Sequence, residues 1–268
     1  MMSEMQALNT NLQRLRQIMA KAGVDVDDPN LATRVQEYRA KQYKSWLQQL
    51  AAEKAKQFER NSLWAGGEAV DFVFSRWNPQ LQPDAVQARA VGVHAYRLAK
   101  ELAISGKGNI MLVGLPGTGK TSLAIAMAHY LEAEAGASIL FLATNELKLL
   151  FQHDYFTDDR IRNKIDLVVI AAKQVDVLIL DDFGTEAGSQ NQIKGVRRDL
   201  YSTMKSIAEA RFDGITNGPK RITIVTTNNT VDQLEQMYDP RTISRLLPET
   251  KDRFITFDGL SDVRGKGQ

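Results

Sequence analysis

The 268 residues are enough for one large domain, or for one large and one small domain, and the 43% hydrophobic and 25% charged residues are typical of a soluble globular protein. No apolar run is long enough to span a membrane, the N-terminus lacks the apolar core of a signal peptide, and the absence of cysteine excludes disulfides and zinc ribbons. These features favour a cytoplasmic protein without a membrane partner, and a net charge of +2 does not by itself indicate nucleic-acid binding.

Residues 1–64 are predicted to form a helical arm. Apolar residues recur every three or four positions over 4–22, which is typical of an amphipathic helix. Asp28 followed by Pro29 favours the start of a second helix, which extends to about Arg60. Its apolar residues lie roughly on one face and basic residues crowd the other. The basic face is either simply solvated or part of a surface that docks a partner.

The helical period breaks after Ser62. Gly66-Gly67 indicates a hinge, and Asp71–Phe74 indicates a short extended piece before the chain turns. We therefore place a linker at residues 65–83 and a second domain at residues 84–268.

The second domain alternates between helical and extended patterns. A helix is predicted from Asp84 to about Ile104. Apolar strands are predicted at 110–113, 138–142, 177–180, 221–225 and 254–257, with helical stretches at 120–135, 145–173 and 192–211. Continuous apolar strands separated by helices are typical of a parallel sheet that is covered on both faces. The predicted fold is therefore α/β, with a five-stranded parallel sheet between helices.

Residues 114–121, GLPGTGKT, match the phosphate-binding pattern G-x-x-x-x-G-K-[ST] and lie between a strand and a helix, where that loop must be. Glycines allow the backbone to approach phosphates, and the free N–H groups at the helix start attract anions. Lys120 is expected to contact the β- and γ-phosphates, and Thr121 to ligate Mg²⁺. The remaining residues expected to hold the nucleotide are Gly114, Pro116, Gly117, Thr118 and Gly119.

Two strands of the predicted sheet end in polar residues that suit phosphate chemistry. Asp181 and Asp182 end the run VDVLILDD. We expect Asp181 to hold Mg²⁺ and Asp182 to polarise the attacking water, although two carboxylates can also merely cap a strand end. Asn228, which follows the fourth strand, is expected to orient the water or contact the γ-phosphate.

Arg241 and Arg245 lie four residues apart on one predicted helical face. Their guanidinium groups suit a phosphate and would stabilise the transferring phosphoryl group if offered by a neighbouring subunit. The alternative is a surface helix with two solvated arginines.

In this order, GLPGTGKT, VDVLILDD, TTNN and RTISR resemble the motifs of an AAA+ ATPase. More narrowly, the chain resembles the bacterial DnaC/DnaI type of helicase loader, with the transposition helper IstB as a relative, over roughly residues 70–264. FVFSRW, LDDFG and RRDLYSTMKSIAEARF belong to this match. The resemblance implies a central P-loop strand and ATP, with Mg²⁺, bound between neighbouring subunits. Little sequence follows the last strand, so we expect no helical C-terminal lid.

The same resemblance implies roles for individual residues. Arg245 matches the finger that reaches a neighbour's nucleotide, with Arg241 as its companion. Arg264 matches a second sensor, and Phe74 and Trp77 match the segment that approaches the adenine. Asp182 departs from the superfamily, which usually has glutamate there, so hydrolysis is expected to be slow unless another acid such as Glu186 assists.

The resemblance also implies partners. Residues 1–60 would grip a replicative DNA helicase, and roughly residues 145–166, where basic and aromatic residues alternate, would contact single-stranded DNA. ATP hydrolysis at subunit interfaces would then release the loaded helicase. The alternatives are an IstB-like ATPase that assists a transposase on duplex DNA and an ATP-dependent adaptor that scarcely hydrolyses ATP.

Overall fold

The computed structural model describes residues 28–152, 158–187 and 195–265, and before them residues 13, 14, 16, 17, 19 and 21, all of which are helical. Most of the helix expected over 4–22 therefore lies outside the described residues. Contacts divide the chain into two units, residues 1–53 and 54–268. Helix α1, Leu31–Arg60, follows Asp28, whose carboxylate accepts hydrogen bonds from the Asn30 N–H and from Arg34.

The larger unit contains the expected parallel sheet. Its strands are β1 (Gly108–Val113), β2 (Ile139–Ala143), β3 (Val177–Asp181), β6 (Ile222–Thr227) and β7 (Phe254–Thr256), in the order β2-β3-β6-β1-β7, with every pairing parallel. The prediction of a five-stranded parallel sheet is confirmed. The P-loop strand β1 is an interior strand between β6 and β7, while β6 occupies the centre. Strands β4 (Phe212–Asp213) and β5 (Gly218–Pro219), which were not expected, form a separate antiparallel pair.

Helices cover both faces of the sheet. They are α2 (Ala85–Ser105), α3 (Lys120–Ala135), α4 (Thr144–Gln152), α5 (Asp159–Gln174), α6 (Arg198–Arg211), α7 (Val231–Met237) and α8 (Pro240–Leu246). The helical stretch expected over 145–173 is thus two helices. The expected extended piece ends early, because a 3₁₀ turn begins at Phe74. The described residues after β7 form no helix, and no helix of the described chain is long and apolar enough to cross a membrane.

The sheet separates two apolar layers. One packs α2 and α3 against residues such as Ile110 and Leu112, and the other packs α5 and α6 against residues such as Leu178 and Leu180. Burial on both faces explains the uninterrupted apolar runs in the sequence. Because the strands are parallel, their carboxyl ends meet at one edge of the sheet, where polar residues follow β3 and β6.

The opposite edge is held together by a buried arginine. Arg211, at the end of α6, is only 1% exposed and donates hydrogen bonds to the Thr223 hydroxyl and to backbone carbonyls. The carbonyls are those of Ala172, Val175, Asp176 and Ile222. Burial lowers the pKa of Arg211 to about 9, so the guanidinium is still charged at neutral pH. One side chain therefore joins α6 to the start of β6 and to the segment that leads into β3.

We expect Arg211→Met to lower the free energy of unfolding by about 3 kcal/mol or more, because several buried carbonyls lose their donor. Urea denaturation measures this change. Arg198→Met, at the exposed start of the same helix, is the matched control and should cost no more than about 0.5 kcal/mol. Equal stability of the two variants would contradict the role given to Arg211.

Candidate nucleotide-binding site

A cavity of about 390 Å³ lies at the carboxyl edge of the sheet, where the loop between β1 and α3 faces the ends of β3 and β6. Its lining contains Pro116, Gly117, Gly119, Lys120, Thr121, Ser122, Asp182, Asn228, Val263 and Arg264. The structure thus brings to one cavity site residues that the sequence predicted from four separate segments.

The loop backbone requires glycine at two positions. Gly117 and Gly119 have φ angles of 75° and 98°, in the left-handed region that favours glycine. A Cβ on Gly117 would clash with the Asp262 carboxylate, and a Cβ on Gly119 would lie 2.7 Å from the Trp77 ring. The absence of side chains at these two positions is consistent with a cradle whose backbone N–H groups approach an anion closely.

Lys120 is buried beside the cavity, and its ammonium group is fully engaged. Nζ donates to the carbonyl oxygens of Gly114 and Leu115 at 2.9 and 2.8 Å and to Oδ1 of Asn228 at 2.7 Å. Burial lowers the pKa of Lys120, while Asp182 and Asp181 act in the opposite direction. Lys120 and Asn228, which were predicted separately from the sequence, are therefore direct hydrogen-bond partners. When a nucleotide binds, its phosphate oxygens would replace the neutral carbonyl and amide oxygens that now accept hydrogen bonds from the Lys120 ammonium group.

Asp181 and Thr121 form the donor set expected for Mg²⁺. Oδ1 of Asp181 accepts hydrogen bonds from the hydroxyls of Thr121, at 2.8 Å, and Thr226, at 2.7 Å. Burial raises the pKa of Asp181, and both hydroxyls oppose that shift. Within the described residues, no group of three or more acidic or histidine side chains could hold a metal by itself. One carboxylate and one hydroxyl still fit Mg²⁺, which usually completes its coordination with phosphate oxygens and water.

Asp182 is exposed, unlike its buried neighbour Asp181. Its φ of 51° is left-handed, and its N–H donates to the Thr226 hydroxyl at 2.9 Å, which fixes the turn. The Asp182 side chain is consequently exposed and lines the cavity, while Asp181 is buried. Of the two asparagines after β6, Asn228 lines the cavity and Asn229 is buried against Phe183 and Thr227.

A family model described as IstB-like ATP binding protein matches residues 96–248, which is more than half of the chain. The chain belongs to the IstB-like ATP-binding family. This match confirms the resemblance that the sequence motifs suggested, at the level of an IstB-like AAA+ ATPase.

Solved structures similar to this IstB-like protein include the DnaC helicase loader, at 20% identity over 68% of this chain and 97% of that chain, with a TM-score of 0.48. DnaI is 25% identical over 64% of this chain and 85% of that chain, with a TM-score of 0.46. AMPPCP-bound DnaA from Aquifex aeolicus is 21% identical over 57% of this chain and 43% of that chain, with a TM-score of 0.41. The curated proteins contain no match to the chain.

Glu186 of the IstB-like protein does not line the cavity. It is fully buried, and its carboxylate accepts hydrogen bonds from the hydroxyls of Tyr238 and Thr144 and from the Gly184 N–H. Burial raises the pKa of Glu186, and these donors oppose the shift. In this arrangement Glu186 holds the turn after β3 together and is not placed to assist Asp182.

The two aromatic residues expected near the adenine occupy different positions. The Trp77 ring packs on Gly119 of the loop, and its indole N–H donates to the Ala88 carbonyl at 2.9 Å. Phe74 makes edge-to-face contacts with Tyr96 and Tyr130, with ring centroids 5.2 and 6.3 Å apart. Trp77 therefore borders the phosphate loop directly, while Phe74 belongs to a neighbouring aromatic cluster. Contact of either ring with adenine remains a prediction.

Arg245, near the end of α8, lies toward the other edge of the sheet. Asn109, near the start of β1, donates to the Arg245 carbonyl at 2.9 Å. Four strand residues separate Asn109 from the first residue of the loop, so the five steps between them span about 16 Å. The Arg245 guanidinium lies 3.2 Å from Glu209 and packs over the Phe212 ring. Arg241 is exposed. Neither arginine lines the cavity of its own chain.

The segment expected to bind DNA, residues 145–166, is described except for 153–157. Phe151 is 3% exposed and belongs to the core, so it is not a stacking surface for a base. Arg160 and Arg162 are exposed and pair with Asp158 and Asp159. Tyr155 and Phe156, the other aromatic residues of the pattern, lie outside the described residues. In the described part of this segment, the exposed basic residues are the ones that could contact DNA.

We expect Lys120→Ala to weaken ATP binding about 10- to 100-fold, because the variant loses charge-assisted hydrogen bonds to phosphate. Fluorescence anisotropy with a labelled ATP analogue measures the affinity. Lys100→Ala removes an exposed lysine from α2 and should leave binding unchanged. Unchanged affinity in the Lys120 variant would reject this cavity as the nucleotide site.

Proposed function

We propose that this IstB-like protein binds ATP with Mg²⁺ in the cavity at the carboxyl edge and hydrolyses it. The observation that supports the proposal best is that site residues from separate segments of the chain meet at one cavity. Lys120, Thr121, Asp182 and Asn228 line one cavity although they come from three segments of the chain, and the buried Asp181 accepts a hydrogen bond from Thr121 beside it.

In this proposal, Lys120 exchanges its contacts with loop carbonyls and Asn228 for the β- and γ-phosphates. Thr121 and Asp181 hold Mg²⁺, Asp181 directly or through water. Mg²⁺ held by these two residues would supply positive charge that offsets the charge of the phosphates. Asn228 would contact the γ-phosphate or the attacking water.

In hydrolysis, the exposed Asp182 is assigned the role of polarising the attacking water. Its carboxylate would accept a hydrogen bond from the water that attacks the γ-phosphorus, while the bond between that phosphorus and the ADP oxygen breaks, giving ADP and inorganic phosphate. Aspartate is one methylene shorter than glutamate, so we expect slow turnover. Arg245 of a neighbouring subunit would stabilise the charge of the transferring phosphoryl group, with Arg241 nearby. ATP would therefore favour self-association.

The wider role that we propose is loading of a replicative DNA helicase. Helix α1 supports a docking role, because it exposes large aromatic side chains: Tyr38, Tyr43 and Trp46 are 64%, 61% and 51% exposed. Residues 1–60 would grip the helicase, residues 145–166 would meet single-stranded DNA, and hydrolysis would release the complex. The IstB-like family match favours a second candidate, an ATPase that assists a transposase on duplex DNA.

Arg245→Ala should lower ATP turnover at least tenfold while leaving ATP affinity unchanged, because the residue acts in trans. Phosphate release measures turnover. Asp182→Asn, which keeps the arginine but lacks the acid, should also be inactive, and mixing the two variants should restore part of the turnover. Glu209→Gln removes the ion pair of Arg245 but not the arginine and should remain active. No restoration on mixing would contradict action in trans.

The replicative helicase of the source organism should form a complex with the full chain in the presence of ATP, seen by size-exclusion chromatography with light scattering. Tyr38→Ser combined with Trp46→Ser should weaken this complex about tenfold or more, since large aromatic residues dominate protein interfaces. Val93→Ser on α2, where the side chain is 63% exposed, is the control. Absence of a helicase complex, together with ATP-dependent assembly on duplex DNA, would favour the transposition role.

A further inference from the structure

The chain after β7 passes directly over the phosphate-binding loop. The Val263 N–H donates to the Gly117 carbonyl at 3.1 Å, and the Asp262 carboxyl group packs against the Cα of Gly117 so closely that no Cβ would fit between them. The acidic side chain of Asp262 therefore contacts the loop that is expected to bind phosphates.

A second contact fixes this segment from the opposite side. The Gln82 side chain donates to the Ser261 carbonyl at 2.9 Å and accepts from the Ser261 N–H at 2.8 Å. Gln82 is 6% exposed, so these bonds are shielded from water. Because Ser261 and Val263 are both anchored by their backbone, the position of Asp262 between them is determined by the fold.

The Asp262 carboxylate also engages the cavity's arginine. Arg264 lines the cavity, and its Nε and Nη2 donate to Oδ2 of Asp262 at 3.1 and 2.7 Å. A guanidinium group binds carboxylate and phosphate with the same planar fork of N–H groups. Phosphate oxygens in the cavity and the Asp262 carboxylate therefore require the same donors of Arg264.

We propose that Asp262 competes with the phosphates of the bound nucleotide for Arg264 and thereby weakens nucleotide binding. The proposal rests on ATP binding in this cavity. Arg264 lines the cavity in which a phosphate would lie, whereas Asp262 lies between the backbone anchors of Ser261 and Val263. Both side chains are substantially exposed, at 69% and 49%, so the ion pair is weak enough to exchange. This competition changes the affinity for the nucleotide, whereas the phosphate-binding loop provides the main contacts that bind it.

Asp262→Asn in the full chain should bind ATP about two- to fivefold more tightly, the range expected for one exposed ion pair. Fluorescence anisotropy of a labelled ATP analogue, competed with unlabelled ATP, gives the affinity. The matched control is Asp258→Asn, which removes an exposed carboxylate from the same segment and should change affinity less than 1.5-fold, or about 0.2 kcal/mol.

Arg264→Gln distinguishes competition from simple repulsion of phosphate by a nearby carboxylate. Under competition, Asp262→Asn no longer tightens binding when Arg264→Gln is also present. The same gain in both backgrounds, or no gain in either, would overturn the proposal while ATP binding itself stands. A wild-type chain that binds no ATP would overturn both this inference and the proposed function.

Discussion

The carboxylate of Asp181 joins the three segments from which the site is built. It accepts hydrogen bonds from Thr121 at the start of α3 and from Thr226 near the end of β6, and it lies itself at the end of β3. A buried carboxylate is costly without such donors, and the two hydroxyls offset part of that cost only when all three segments are in place. Lys120, Asp182 and Asn228 lie one or two positions from these three residues. Their common orientation toward the cavity therefore follows from one hydrogen-bonded junction.

A packed path connects this junction to the helix that carries Arg245. Phe183, next to Asp182, stacks on Tyr238 with ring centroids 5.0 Å apart, and Tyr238 stacks on Tyr201. The Tyr201 hydroxyl donates to the carboxylate of Asp239, which caps α8. The turn that presents Asp182 and the helix that presents Arg245 are thus connected by stacked aromatic rings and one hydrogen bond.

The sequence predicted those features that depend on contiguous residues. The phosphate loop and the acidic pair are local motifs, and strands buried on both faces leave uninterrupted apolar runs. Arg211 could not be recognised, because a basic residue at a helix end usually faces solvent and its acceptors come from distant segments. Phe151 alternates with basic residues like a surface residue, yet tertiary packing buries it. The packing of the Asp262 carboxyl group on Gly117 also could not be predicted, because these residues are 145 positions apart in the chain.

The packing of Trp77 on Gly119 has a consequence for observing the protein in solution. Of the three tryptophans, Trp46 lies on the exposed face of α1, and Trp64 stacks on Phe141 at the sheet. Trp77 alone touches the phosphate loop, and its indole ring is half-buried between that loop and Gly92 of α2. Indole emission depends on the polarity and contacts around the ring. The molecule therefore carries an intrinsic optical reporter whose signal follows the position of the loop without any attached label.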